Sequence, residues 1–189
     1  ATNGPGSDID RYAKRLKASG WETEIYKSDQ DDPAFHKTGP PAVLHIEGTL
    51  LTGNFSQGTI YPFPGLSGAR ILVNPALFSS PVINAAEIAK LKLKGTTVVV
   101  MLQTPDSSIR TGHQFAILRN AFLQAGAKRV IFSGTGYHQK AETLFLQSFY
   151  QQLARGTTPG EAHSKAREKT KAKYKAPAQW GQFLLAGNN

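Results

Sequence analysis

Residues 97–133 read TVVVMLQTPDSSIRTGHQFAILRNAFLQAGAKRVIFS, and this stretch decides the fold class. It begins with a β-branched, apolar run, Thr97–Leu102, which is typical of a central parallel strand covered on both faces. A helix is predicted from about Thr111 to Ala125, with Gly126 as its stop signal. A second strand is predicted at Arg129–Ser133, so the stretch predicts two parallel strands joined by a right-handed crossover.

The same alternation continues on both sides of this unit. Upstream, the patterns predict a helix at 7–19, short strands at 23–26, 42–47 and 70–73, a loop or irregular hairpin at 48–69, and a short helix capped by Asn84 that runs through Leu91. Downstream, they predict a helix at 139–154 that buries Leu144, Phe145, Phe149 and Leu153, a basic helix opened by Thr158-Pro159, and a last strand at 180–186. This order predicts an α/β fold with a largely parallel sheet. Since no internal linker or repeat is visible, one domain over residues 1–189 is favoured.

The chain has 189 residues and contains no cysteine. The length suits one domain of ordinary size. The lack of thiols excludes disulfides, cysteine-bearing zinc sites and a cysteine nucleophile, and it leaves the redox compartment open, with a cytoplasmic location favoured. No apolar run approaches the roughly 20 residues of a membrane span. Because the chain starts without Met or a signal-type segment, we expect it to be the C-terminal part of a longer protein.

The net charge of +9 is unevenly distributed along the chain. Residues 1–60 hold six basic and eight acidic side chains, whereas residues 61–189 hold sixteen and five. The densest basic stretch is Lys165–Lys175, which predicts either a solvated helix face or a surface that attracts an acidic partner. Nucleic-acid binding is disfavoured, because Tyr174 is the sole aromatic residue of the stretch and no nucleic-acid-binding motif accompanies it.

Ligands of open α/β sheets bind at the carboxyl ends of the strands, and three segments of this chain follow predicted strands. They are Glu47-Gly48-Thr49, Gln103-Thr104-Pro105-Asp106 and Ser133-Gly134-Thr135-Gly136. The third segment precedes a helix, but it lacks the Lys of a P-loop and the third glycine of a dinucleotide fingerprint, so a simple turn is favoured over an anion site. The five histidines show no metal-ligand spacing, and we expect neither a metal ion nor a cofactor.

A hydrolytic site near Thr104 is an alternative. A threonine hydroxyl needs a base beside it, and Thr104, His138 and Asp106 form a Thr–His–Asp set that no sequence motif supports. His113 also follows the central strand, whereas His45 lies within a strand. An ordinary structural role is favoured for each of these histidines.

Several segments of the chain follow, in order, the pattern of one protein family. Leu118–Ala127, LRNAFLQAGA, is similar to L-x-R-A-F-L-x-A-G-A, and Trp180–Gly187, WGQFLLAG, is similar to W-A-x-F-x-L-x-G. Further similar segments are Pro5–Ile9, Pro41–Ile46, Ile83–Ile88, Leu91–Thr96 and Phe149–Ala166. On these motifs, nearly the whole chain resembles the CHAT domain, a branch of the caspase-like cysteine peptidases that includes relatives of separase and the gingipains. The resemblance implies a caspase-like three-layer sandwich, with a mostly parallel sheet flanked by helices.

The resemblance does not extend to the residues of the peptidase chemistry. Counting along the family's H-(I/F)-A-T-H-G motif from His45 puts its catalytic His at Thr49. Counting along V-V-L-S-A-C-x-T from Val99 puts its catalytic Cys at Thr104. Peptide cleavage by this family requires a thiolate and an imidazole, and two threonine hydroxyls supply neither.

These departures predict an inactive CHAT-type domain, a pseudopeptidase that binds a protein or peptide partner. The family's S-L-W segment is also replaced, by Ser133–His138, which implies a rebuilt specificity pocket. We expect the binding residues to surround the dyad positions Thr49 and Thr104. They are Glu47, Gly48, Gln103, Asp106, Ser133, Gly134, Thr135, Tyr137 and His138.

Overall fold

The computed structural model describes residues 14–22, 42–51, 70–73, 82–104, 112–133 and 138–187. Its strands are β1 (Val43–Leu51), β2 (Arg70–Val73), β3 (Val82–Asn84), β4 (Val98–Thr104), β5 (Arg129–Ser133) and β6 (Phe183–Gly187). Its helices are α1 (Ala85–Ala89), α2 (Gly112–Gln124), α3 (Gln139–Ala154), α4 (Pro159–Lys173) and α5 (Pro177–Trp180). The chain divides into two compact units, which we call the sheet unit (residues 27–135 and 184–189) and the helical unit (residues 1–26 and 136–183).

The described strands form one sheet in the order β3-β2-β1-β4-β5-β6. β1 pairs in parallel with β4, and β4 pairs in parallel with β5. β2 is antiparallel to both β1 and β3, so β1, β3, β4 and β5 all run in the same direction. Gly187, at the end of β6, lies against the backbone of Lys128 and Arg129 at the start of β5, which makes β6 antiparallel to β5. The expected α/β fold with a mostly parallel sheet is confirmed.

One face of the sheet packs against α1 and α2. Leu44, Val99 and Val130 come from three neighbouring strands and belong to one buried cluster. Leu118 and Phe122 of α2 join the same cluster, because residues four apart lie on one face of a helix. The core of the sheet unit therefore lies between its central parallel strands and α2.

The opposite face of the sheet is covered as well. Val98, Val100 and Ile131 alternate with the residues of that cluster along β4 and β5, and none of the three is exposed. Burial on both faces explains why the central strand is an unbroken apolar run. A caspase-like layered fold requires such burial of its sheet.

α2 ends at a turn that fits glycine alone. Gly126 has a φ of +107°, and a Cβ built on it would lie 2.8 Å from the backbone nitrogen of Lys94. The Leu93 N–H donates to the carbonyl oxygen of Ala125 at 2.8 Å, so the two turns are joined through their backbones. This contact fixes the end of α2 beside the residues that lead into β4.

In the helical unit, α3 packs against α4 through aromatic and small side chains. The ring of Phe145 stacks on that of Phe183, with centroids 4.1 Å apart, and meets the edge of His163 at 5.6 Å. Ala162 and Ala166 of α4 are fully buried, and their small size lets the two helices lie close together. The predicted burial of Phe145, Phe149 and Leu153 is confirmed, whereas Leu144 is only half-buried.

His163 is a polar residue within this core. Its Nε2 lies 3.0 Å from the carbonyl oxygen of Phe183, so Nε2 carries the proton and donates the hydrogen bond. Burial lowers the pKa of His163 below the ordinary value of 6.5. The hydrogen bond to Phe183 raises this pKa, and the charge of Arg167 lowers it further.

α4 begins with a capping box. The Glu161 N–H donates to Oγ1 of Thr158 at 3.3 Å, and the Thr158 N–H donates to Oε2 of Glu161 at 3.2 Å. Pro159 occupies the first turn, where its missing N–H costs no hydrogen bond. The predicted start of the basic helix is confirmed.

Other elements agree with the sequence predictions closely. The bounds of β2, β5 and α3 are the predicted ones, and α2 differs by one residue at each end. Of the helix predicted at 7–19, residues 14–18 are described and are helical. The strand predicted at 23–26 and the segment at 52–69 lie outside the described residues.

The structure differs from the sequence predictions in four details. Residues 48–51, predicted as part of a loop or an irregular hairpin, continue β1, because they pair antiparallel with β2 and residues 48–49 also pair with β4. β3 was not predicted, and α1 ends at Ala89 rather than Leu91. Trp180 ends the short helix α5 instead of starting a strand, since Pro177 in its first turn favours a helix start.

Candidate functional site

The carboxyl ends of β1 and β4 lie side by side. In the parallel register of this pair, Thr49 is opposite Thr104 and Gly48 is opposite Gln103. Glu47 is opposite Leu102, one position earlier. Neighbouring strands lie about 4.8 Å apart, so the two threonines that the motif counting predicts at the family's His and Cys positions are adjacent in this fold.

Ser133 lies on the other side of β4. It is the last residue of β5, whose register aligns Met101 with Phe132. Continuing that register places Ser133 at the level of Leu102, two positions before Thr104. We call the set of Glu47–Thr49, Gln103, Thr104 and Ser133 the strand-end site, and its role in binding stays a prediction.

Four predicted binding residues cannot be placed, because Asp106, Gly134, Thr135 and Tyr137 lie outside the described residues. His138 is described and has a structural role. Its Nδ1 accepts a hydrogen bond from the Ala141 N–H at 3.1 Å, so its side chain caps the start of α3. Its ring also meets the edge of Tyr174, with centroids 5.1 Å apart.

The other histidines that sequence reasoning considered occupy regular elements. His45 is half-buried in β1, opposite Val100. It lies four positions before Thr49 along the strand, which corresponds to about 13 Å between their Cα atoms. His113 lies in the first turn of α2. The position of His45 within β1 confirms the prediction that this residue lies inside a strand.

The residue types of the strand-end site suit hydrogen bonding rather than thiol chemistry. Threonine, glutamate and glutamine offer hydroxyl, carboxylate and amide groups. The chain has no cysteine, so a Cys–His dyad cannot form at this or any other place in it. In the described part of the chain, no three His, Asp or Glu residues are grouped so that they could hold a metal ion.

Sequence reasoning missed how far the two strands extend. It ended them at Glu47 and Leu102, whereas they continue to Leu51 and Thr104. The β-branched Thr49 and Thr104 and the apolar Leu50 and Leu51 were available signals. The extension places the dyad positions within paired strands, so the register fixes their backbones.

Comparison with known proteins identifies the family. The model of the CHAT domain matches residues 22–188, which is most of the chain. Over 109 residues the chain is 28% identical to Tetratricopeptide repeat protein 28 of Homo sapiens, an alignment that covers 57% of this chain and 4% of that protein. The chain thus spans only a small part of the length of this relative. No helix among the described residues is long and apolar enough to cross a membrane. The chain belongs to the CHAT domain family, in the superfamily related to the caspase-like peptidases.

Proposed function

We propose that this CHAT domain is catalytically inactive and binds a peptide or protein segment at the strand-end site. The observation that carries the proposal is the register that sets Thr49 beside Thr104, at the two positions of the family's dyad. The fold keeps these positions adjacent while the thiol and the imidazole are absent from both. Catalysis by such a dyad depends on both members acting as a unit, so losing both removes it.

A peptide is the ligand that suits this place in the fold. Parallel sheets bind their ligands at the carboxyl ends of the strands, and that is where Gly48, Gln103 and Ser133 lie. Hydroxyl and amide groups form hydrogen bonds with the N–H and C=O groups of an extended peptide. The relative named for tetratricopeptide repeats fits a binding role, since such repeats stack into extended binding surfaces.

The alternative is a hydrolase that uses Thr104 with a histidine base. The capping contact of His138 argues against that residue as the base. Its Nδ1 lone pair accepts the Ala141 N–H, and a neutral imidazole in that tautomer has its proton on Nε2. No lone pair remains to take a proton from a threonine hydroxyl.

Peptide binding at the strand-end site can be tested by NMR with a library of unmodified peptides. We expect shift changes at the amides of Glu47–Thr49, Gln103 and Thr104. A Thr104→Trp variant should bind at least about tenfold more weakly, which corresponds to about 1.4 kcal/mol. Lys92→Trp, at an exposed turn of the same unit, is the matched control and should bind normally.

If tryptophan at position 104 prevents folding, the milder Thr49→Ala/Thr104→Ala variant replaces it in the binding test. The proposal fails if bound peptides shift amides elsewhere and leave those of β1 and β4 unchanged. It also fails if purified protein hydrolyses peptides and Thr104→Ala abolishes that hydrolysis.

A further inference from the structure

The cations of the basic helix α4 divide into two sets with different surroundings. Arg167 and Lys171 lie on the side that faces α5, with the guanidinium carbon 5.2 Å and the ammonium nitrogen 5.1 Å from the ring centre of Trp180. Arg167 is half-buried, and its buried Nε has no hydrogen-bond partner among the described residues. These two cations hold α5 against α4 and belong to the packing of the helical unit.

The second set is a row of three lysines, Lys165, Lys169 and Lys173, which we call the lysine row. The three side chains are exposed and recur every fourth residue, so they lie along one side of the helix, about 6 Å apart in rise. In the described part of the chain no carboxylate pairs with Lys165 or Lys169, and Lys173 contacts the Tyr174 ring at 5.9 Å.

Like charges four residues apart destabilise a helix. Glu161, one of the two acidic residues of α4, is engaged in the capping box, and Glu168 forms no ion pair with the row. Within the described residues, the lysine row thus makes no direct ion pair, although Glu161 lies four residues before Lys165. A line of carboxylates with a matching repeat would compensate it.

We propose that the lysine row is a docking surface for an acidic protein segment, with carboxylates that recur at about 6 Å as on one face of a helix. This inference does not rest on the strand-end site and involves different residues. Of the basic stretch Lys165–Lys175, it assigns binding to three lysines. Arg167 and Lys171 are occupied with Trp180, and Lys175 lies beyond the end of α4.

An acidic protein suits this surface better than a nucleic acid or a membrane. Single-stranded nucleic acids gain affinity by stacking bases on free aromatic rings, but Trp180 and Tyr174 both have cations over their rings. A membrane-bound helix needs an exposed apolar face, whereas Ala162 and Ala166 of α4 are buried. The exposed side chains of α4 are mostly charged.

The test measures binding of a fluorescent glutamate-rich helical peptide to the purified chain. Lys165→Glu/Lys169→Glu/Lys173→Glu should weaken binding about tenfold or more, because each exposed ion pair contributes a factor of up to about five. Lys90→Glu/Lys92→Glu/Lys94→Glu is the matched control, since it changes the net charge equally at three exposed lysines of the sheet unit. The corresponding triple Lys→Gln variant of the row serves if charge reversal prevents folding.

Two comparisons identify the class of partner. Single-stranded RNA of matched charge and vesicles that contain an anionic lipid should bind more weakly than the peptide. Raising NaCl from about 50 mM to about 200 mM should weaken peptide binding, because surface charges are screened. The proposal is overturned if the peptide does not bind, if the control triple variant weakens binding as much as the row variant does, or if RNA or vesicles bind more tightly.

Discussion

Thr49 of β1 lies directly opposite Thr104 of β4 in a parallel register that runs from Val43 to Thr49. Thr104 ends β4 and Thr49 lies two residues before the end of β1, near the edge of the sheet where α/β proteins bind ligands. In the family pattern a histidine and a cysteine stand at these positions. The register therefore sets side by side two threonines at the positions that the motif counting assigns to the family's dyad, as the proposed inactive binding domain requires.

The register itself can be tested by introducing thiols. The Thr49→Cys/Thr104→Cys variant should form an intramolecular disulfide on oxidation, because paired residues of neighbouring strands have Cα atoms within the range that a disulfide spans. The chain has no other cysteine, so peptide mapping by mass spectrometry gives an unambiguous readout. In the control Thr49→Cys/Gln103→Cys the side chains alternate to opposite faces, and we expect little cross-linking. Equal yields for the two pairs would show that the register is wrong.

The contact between Gly126 and the turn at Lys94 predicts a large effect of a small substitution. Gly126→Ala combines a left-handed backbone with a Cβ 2.8 Å from backbone atoms. Gly156 is a matched control, since it has a φ of +80° with nothing within 4 Å of a built Cβ. Urea unfolding should show a loss of about 1 kcal/mol for Gly156→Ala and about 1–3 kcal/mol more for Gly126→Ala. Similar losses for both variants would mean that the two turns do not touch.

The buried position of His163 predicts a dependence of stability on pH. Its pKa in the folded chain is lowered, chiefly by burial, so the unfolded chain takes up the proton first as the pH falls below 6.5. The free energy of unfolding should therefore decrease on acidification through this range and be unaffected by His163 at higher pH. His163→Gln keeps a donor for the Phe183 carbonyl but does not titrate, so its stability should depend less on pH. If urea unfolding gives the same pH dependence for both proteins, His163 does not titrate as a buried group.

The capping box at the start of α4 predicts how substitutions of its N-cap residue, Thr158, change the stability of the chain. Thr158→Ala removes the oxygen that accepts the Glu161 N–H and should lower the free energy of unfolding by about 1 kcal/mol. Thr158→Ser keeps an oxygen at the same place and should leave stability nearly unchanged. A loss of the same size in Thr158→Ser would assign the effect to the methyl group and not to the cap.

Most of the regular elements follow from local pattern. The bounds of β5 and α3 were predictable because apolar periodicity and flanking turn residues coincide there. The ends of β1 and β4 were not, since Gly48 and Gln103 have low strand propensity and are held in place by pairing between strands. Pairing with neighbouring strands carries β1 and β4 past these two residues to Thr49 and Thr104, whose β-branched side chains do favour a strand.

For the candidate site, too, some features could be predicted from the sequence and others could not. Counting along family motifs predicts that Thr49 and Thr104 stand at the dyad positions, and the adjacency of the two threonines follows from the register. A structural role was favoured for His138, but its contact as the N-cap of α3 could not be foreseen, because histidine is not among the preferred N-cap residues. The contacts of Arg167 and Lys171 with Trp180 join residues from two helices, so the charge pattern of α4 alone could not separate them from the lysine row.

The most direct test exposes the purified chain to a diverse peptide library and analyses the mixture by mass spectrometry for new termini and for intact peptides retained by the protein. An inactive binding domain should retain a subset of peptides intact and produce no new termini, and Thr104→Trp should reduce the retention. New termini that appear with the purified chain and disappear with Thr104→Ala would contradict this, because they would show that the strand-end site still cleaves peptides.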